Sequence, residues 1–123
     1  MIKDKIKVAI VGTGRISDLH AIEYIQNPDS KIVALCDSNI DLALSRAKKW
    51  GCNDSVQITD DLDKVLTNDK VDVVELLLPH HMHFPAALQS IKAGKIISLQ
   101  KPICLNLDEA NQLVEEVEKY DKL

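Results

Sequence analysis

IKVAIVGTGRIS, residues 6–17, is an apolar run broken at its end by two closely spaced glycines. Ile6–Val11 is short and almost continuously apolar, as a parallel strand buried on both faces must be, and it stops at Gly12. From residue 16 the period changes. Leu19, Ile22 and Ile25 recur every third residue as far as Gln26, and Asn27-Pro28-Asp29 ends the helical pattern. Strand, glycine turn and helix therefore follow one another without a linker.

The alternation continues outward. Residues 31–36 form a second short apolar run, and Ile40, Ala43, Leu44, Ala47 and Trp50 are spaced along one helical face closed by Gly51. Residues 55–59 read as a weaker strand, Leu62, Val65 and Leu66 mark a short helix, and residues 71–78 are the strongest strand, stopped by Pro79. Phe84, Ala87, Leu88 and Ile91 give the next helix a buried stripe, with Gly94 as its cap. Ile96–Leu99 makes a fifth strand before Pro102. Leu107, Ala110, Val114 and Val117 line a last helix, whose first turn carries Asp108 and Glu109 at the positive end of its dipole.

Strands alternating with helices at this spacing predict an α/β fold, a doubly wound parallel (Rossmann) sheet of about five strands with helices on both faces, because right-handed crossovers must cover apolar strand surface. A sixth strand would be due at Leu123, so Ile96–Leu99 is expected to be an exposed edge that favours self-association. The full-length form is expected to be a homo-oligomer.

At 123 residues the length falls within the roughly 50–250 of one domain, and residues 1–123 read as one. Hydrophobic residues at 46% and charged residues at 28% describe a chain that folds rather than a disordered one. A net charge of −4, scattered basic residues and 3% aromatics argue against nucleic acid, which needs a basic stripe or stacking platforms. Cys36, Cys52 and Cys104 are odd in number and form no C-x-x-C pair, which points to a reducing cytoplasm. Met1-Ile2-Lys3-Asp4-Lys5 is charged and leads straight into a strand, and no apolar run is long enough to cross a bilayer, so no membrane partner is expected. The expected partner is a small molecule.

Gly12, Thr13, Gly14, Arg15 and Ile16 occupy the turn at which this architecture aims backbone amides and a helix N-terminus at a pyrophosphate. Gly12 permits the tight turn and Gly14 removes a side chain that would block the phosphate. Ser17, where Gly or Ala is usual, is small enough for close helix-to-strand packing. Two glycines alone describe any turn that needs positive φ. Asp37 adds the second feature: it ends the second strand 25 residues beyond Gly12, near the roughly 20 at which an acid hydrogen-bonds the adenosine ribose. Its carboxylate would accept two ribose hydroxyls of NAD and repel the 2′-phosphate of NADP, to which Ser38 and Asn39 offer no cation. NAD is therefore the expected cofactor, ahead of NADP. As a purely structural residue, Asp37 would cap the helix starting near Ile40, a role open equally to Ser38 or Asn39.

These segments resemble the N-terminal domain of the glucose-fructose oxidoreductase, inositol dehydrogenase and rhizopine-catabolism (Gfo/Idh/MocA) family, and the likeness covers nearly the whole chain. It runs from the glycine loop through Asp37 and the helix after it. It continues with Val71-Asp72-Val73-Val74 leading to Pro79-His80-His81-Met82-His83, then Ala93-Gly94-Lys95 and Gln100-Lys101-Pro102. The family reads Thr-Pro-Asn-x-x-His after its fourth strand and Glu-Lys-Pro later. Here Leu78, His80 and Gln100 replace Thr, Asn and Glu, while Pro79, His83, Lys101 and Pro102 match. The resemblance implies that Leu78, Pro79 and His80 line the ribose and nicotinamide side, joined by His83 and Gln100, and that Lys101 is the catalytic residue near the reacting carbon.

A cation there would stabilise the alkoxide that develops as hydride leaves a carbinol. Gln100 can hydrogen-bond a ribose hydroxyl but brings no negative charge beside Lys101. Taken alone, Lys101 reads as a solvated strand-end lysine. The implied activity is hydride transfer between nicotinamide and a sugar, polyol or cyclitol. The substrate domain, which carries the family's catalytic acid and histidine, is expected to be absent, and residues 1–123 alone to bind the dinucleotide without turnover.

Three histidines at 80, 81 and 83 have no acid or cysteine cluster beside them, so no metal is expected. His83 is expected to begin a helix and His20 to pack or cap on the first one. Glu75, inside the most apolar strand, would need a partner that the sequence does not name. Two other readings stay open: a non-catalytic dinucleotide-binding regulatory module, and an S-adenosylmethionine methyltransferase, whose first strand would carry an acid where Ile10-Val11 stand.

Overall fold

The computed structural model describes residues 4–120; Met1 to Lys3 of the charged N-terminal stretch and residues 121–123, where a sixth strand would be due, lie outside them. The strands are β1 (Ile6–Val11), β2 (Ser30–Cys36), β3 (Gln57–Thr59), β4 (Val73–Leu76) and β5 (Ile96–Leu99), all parallel, in the order β3-β2-β1-β4-β5. The helices are α1 (Ser17–Gln26), α2 (Ile40–Lys49), α3 (Leu62–Leu66), α4 (His80–Lys92) and α5 (Leu107–Glu118). After β1 the chain builds β2 and β3 to one side and then crosses to build β4 and β5 on the other. The connections leaving the carboxyl ends of β1 and β4 thus part in opposite directions, which opens a crevice there.

Alternate strand residues face opposite ways, so each strand feeds two cores. Ala9, Val11, Val74 and Leu76 pack with Val65, Leu66, Ala87, Ile91 and Leu113 from α3, α4 and α5. Leu35 packs with Ala43 and Ala47 of α2 on the other face.

The element order matches the sequence reading, with shifts that have physical causes. The strand expected over residues 71–78 is assigned only over Val73–Leu76, with flanking backbone bonds from the Asp72 amide to the Lys7 carbonyl, from the Ile96 amide to the Asp72 carbonyl and from the Leu77 amide to the Val11 carbonyl, at 2.8, 3.1 and 2.8 Å. Val71 and Leu78 are apolar because they pack against the core, and Leu77 because it lines the cleft. Helix α4 begins at His80, not at His83; Pro79 supplies its N-cap, and Pro85 within it forfeits one backbone hydrogen bond.

The apolar stripe read in α1 is on the wrong face: Leu19 is 69% exposed and Ile22 and Ile25 are exposed too, while Ser17 and Ala21 are buried. A spacing of three drifts by about 60° per step on a helix of 3.6 residues per turn, so 19, 22 and 25 wind around it. The small residues at i and i+4 let α1 lie close to the sheet. The stripe of α5 is displaced likewise, with Leu113 buried and Leu107 and Val114 exposed.

β5 is an edge of the sheet and all four of its residues are half-buried. For residues 1–123 taken by themselves, self-association at high concentration is the expected outcome of that edge. A sedimentation series that stays monomeric throughout would count against it.

Candidate functional site

A cleft of about 730 Å³ opens at the carboxyl ends of β1, β2 and β4, within the usual size range of small-molecule sites. Gly12 and Gly14 form its floor, Asp37, Ser38 and Asp60 one end, and Leu77, Leu78 and Pro79 the wall opposite. Met82, Pro85, Ala86 and Gln89 of α4 also line it. The sequence reading missed these four, although their spacing of 3, 4 and 7 marks one helical face once the helix is known to start at His80.

Gly12 crosses the end of β4 so closely, with φ +97°, that a Cβ on it would stand 2.3 Å from the Leu77 carbonyl oxygen. Gly14 has no atom within 4 Å of its missing Cβ. Beyond it α1 opens on Ile16 with no side-chain cap; the Ser17 and Leu19 amides turn back to the Gly14 and Ile16 carbonyls at 3.0 and 3.2 Å, and the helix start faces the open space beside Gly14. The buried Ser17 hydroxyl donates back to the Gly14 carbonyl, so serine fits where Gly or Ala was expected. Arg15 and Ile16 are exposed beside the loop.

Asp37 leaves β2 with a carboxylate already engaged. Its Oδ2 accepts from the Thr13 amide and the Thr13 hydroxyl, each at 2.8 Å, and its Oδ1 accepts from the Asn39 amide at 2.8 Å. Burial opposes ionisation, but these three donors outweigh it and hold the carboxyl below the usual carboxylate range. Asp37 is not the cap of α2: Asn39 is, through its bond from the Leu42 amide. Next to it, burial and then the charges of Asp37, Asp60 and Asp61 push the Cys36 thiol up to about 11. None of the described residues lining the cleft is Lys or Arg.

Thr13, expected among the cofactor-binding residues, is 0% exposed and does not line the cleft. His80, His83, Gln100 and Lys101 also stand off the lining. His83 is 1% exposed, with ring nitrogens 2.7 Å from the Pro102 carbonyl oxygen and 2.9 Å from that of Leu78. It ties the loop carrying the exposed Lys101 to the end of β4. His80 is exposed and meets His83 edge to face.

Glu75 finds a partner that sequence could not supply. Its side chain is 2% exposed, opposite in direction to Val74 and Leu76, and Oε2 accepts a hydrogen bond from the Tyr24 hydroxyl of α1. His20 of α1 lies 3.8 Å from Oε1, which has no hydrogen bond.

A family model described as "Oxidoreductase family, NAD-binding Rossmann fold" matches residues 6–123. The chain is similar to D-glucoside 3-dehydrogenase of Escherichia coli K12, 30% identical across 100% of this chain and 34% of that protein. It is likewise 30% identical to inositol 2-dehydrogenase of Rubrobacter xylanophilus, across 98% of this chain and 34% of that one. GenD2 from gentamicin A biosynthesis, solved in complex with NAD, superposes with a TM-score of 0.90 at 26% identity, covering 100% of this chain and 34% of its own. KijD10 from Actinomadura kijaniata, solved with NADP, gives a TM-score of 0.89 at 21% identity, over 98% of this chain and 37% of its own, a likeness of fold alone. The chain spans about a third of the length of the curated relatives it matches.

Proposed function

The chain belongs to the Gfo/Idh/MocA oxidoreductase family, whose NAD-binding Rossmann domain it matches, and on that premise we propose that it binds NAD in preference to NADP and serves hydride transfer to or from a sugar, polyol or cyclitol. Asp37 carries the cofactor choice: a clamped carboxylate at the end of β2, with Asp60 lining the same cleft, accepts a hydroxyl and repels a phosphate. The relatives named as glucoside and inositol dehydrogenases support a polyhydroxylated substrate.

The cleft suits a dinucleotide because Gly14 leaves space for phosphates beside the uncapped start of α1. When bound, the nicotinamide supplies the hydride acceptor or donor. Leu78 and Pro79 would wall its ribose side. Lys101, on the loop that His83 fastens to β4, would set a cation where the substrate's alkoxide develops, and Gln100 before it would hydrogen-bond a ribose hydroxyl.

Calorimetric titration tests the cofactor choice. NAD should bind at least about tenfold more tightly than NADP, and Asp37→Ala should narrow that gap by about tenfold, the size of one lost charge-assisted bond. Because Asp37 ionises below the usual carboxylate range, NAD affinity should be level through neutral pH and fall only as acid protonates it. Equal affinity of the unaltered protein for the two cofactors would refute the assignment.

A further inference from the structure

Thr13 sits between the two glycines of a cofactor loop, yet every polar group it owns points into the protein. Its amide and hydroxyl donate to Asp37 Oδ2, and its carbonyl accepts from Arg46 Nε at 3.0 Å. Arg46 is steadied in turn by Asp18, whose carboxylate also accepts from Lys49 Nζ and Trp50 Nε1 at 2.8 Å each. The loop residue is thus fastened from α2 and from the end of β2, and α1 reaches it only through Arg46.

We infer that Thr13 is a positioning residue for cofactor choice, one that locks the Asp37 carboxylate in place so that it cannot turn aside for a 2′-phosphate. A carboxylate offers about four lone-pair positions. Thr13 takes two on Oδ2 and Asn39 one on Oδ1, which leaves Oδ1 with room for a ribose hydroxyl. On this reading Asp37 receives one ribose hydroxyl rather than two. The clamp also fixes the charge: rotating the carboxylate to admit a phosphate breaks three hydrogen bonds to an anion. An aspartate held by fewer bonds could swing away and accept either cofactor. Arg46 gives its Nε to the Thr13 carbonyl and its Nη1 to Asp18, and it does not line the cleft.

The inference rests on the NAD reading given above, and its test separates the two. Thr13→Val removes the hydroxyl, keeps the amide and nearly keeps the volume; Thr13→Ser restores the hydroxyl. Affinities for NAD and NADP are measured by calorimetry on all three proteins. The preference for NAD should fall about tenfold in Thr13→Val, as expected for loss of one hydrogen bond to an anion. It should stay within about twofold of the parent in Thr13→Ser, where the bond survives.

A general loosening of the fold would weaken both cofactors together and leave the ratio unmoved. The pH below which NAD affinity is lost should also rise in Thr13→Val, since Asp37 loses a donor to its ionised form. Should valine unfold the protein, Thr13→Ala lacks the same hydroxyl without crowding and must give the same fall. An unchanged ratio in a folded variant of a parent that prefers NAD overturns this inference alone. A parent without that preference overturns the NAD reading and this inference with it.

Discussion

Replacing Gly12 with alanine is expected to destabilise the protein by about 3 kcal/mol or more and to abolish dinucleotide binding in whatever remains folded. Two costs combine. The backbone φ of +97° lies where a side chain is strained, and the new Cβ would stand 2.3 Å from the Leu77 carbonyl oxygen. That oxygen is backbone at the end of β4 and cannot rotate away; relief requires the glycine loop and β4 to separate, which opens the floor of the cleft. Gly14→Ala is the control, because no atom lies within 4 Å of its missing Cβ. Its stability should change by less than about 1 kcal/mol, while its methyl group meets the phosphates and weakens binding. Urea unfolding and calorimetry of the two variants check both halves. A Gly12→Ala protein within about 1 kcal/mol of the parent would show that the loop is not held against β4.

The second large effect concerns the interior. Tyr24→Phe removes the hydrogen bond to the buried Glu75 carboxylate, whose other oxygen already has none. The expected loss is about 3 kcal/mol, because the buried carboxyl left behind keeps its desolvation cost with neither oxygen hydrogen-bonded. Tyr24 is itself perturbed: burial, then its bond to Glu75, raise its hydroxyl above the ordinary tyrosine range. A raised value contributes stability that is present below the unfolded value and lost only on strong alkalinisation.

The pair as a whole is worth far less than its halves. Tyr24→Phe with Glu75→Leu should recover most of the single variant's loss, since replacing both partners by apolar groups removes the desolvation cost together with the bond. Urea midpoints of the two single variants and the double variant give the coupling. A double variant no more stable than Tyr24→Phe would mean that Glu75 is not the source of the penalty.

What the sequence alone determined is local. The strand-helix alternation, the glycine turn after β1 and the acid at the end of β2 are written in neighbouring residues, because side-chain period and turn chemistry act over a few positions. The family's later motifs were legible in the same way, as short words around Pro79 and Lys101. Tertiary structure decided what depends on distant residues or on helical phase. Nothing near Glu75 in the chain indicates Tyr24, 51 residues away, and nothing near Thr13 indicates Asp37 or Arg46, 24 and 33 residues on. Nor could spacing tell that Ala21 rather than Leu19 faces the sheet: a helix in isolation buries its largest apolar stripe, whereas α1 must lie close to β1 and so turns its smallest residues inward.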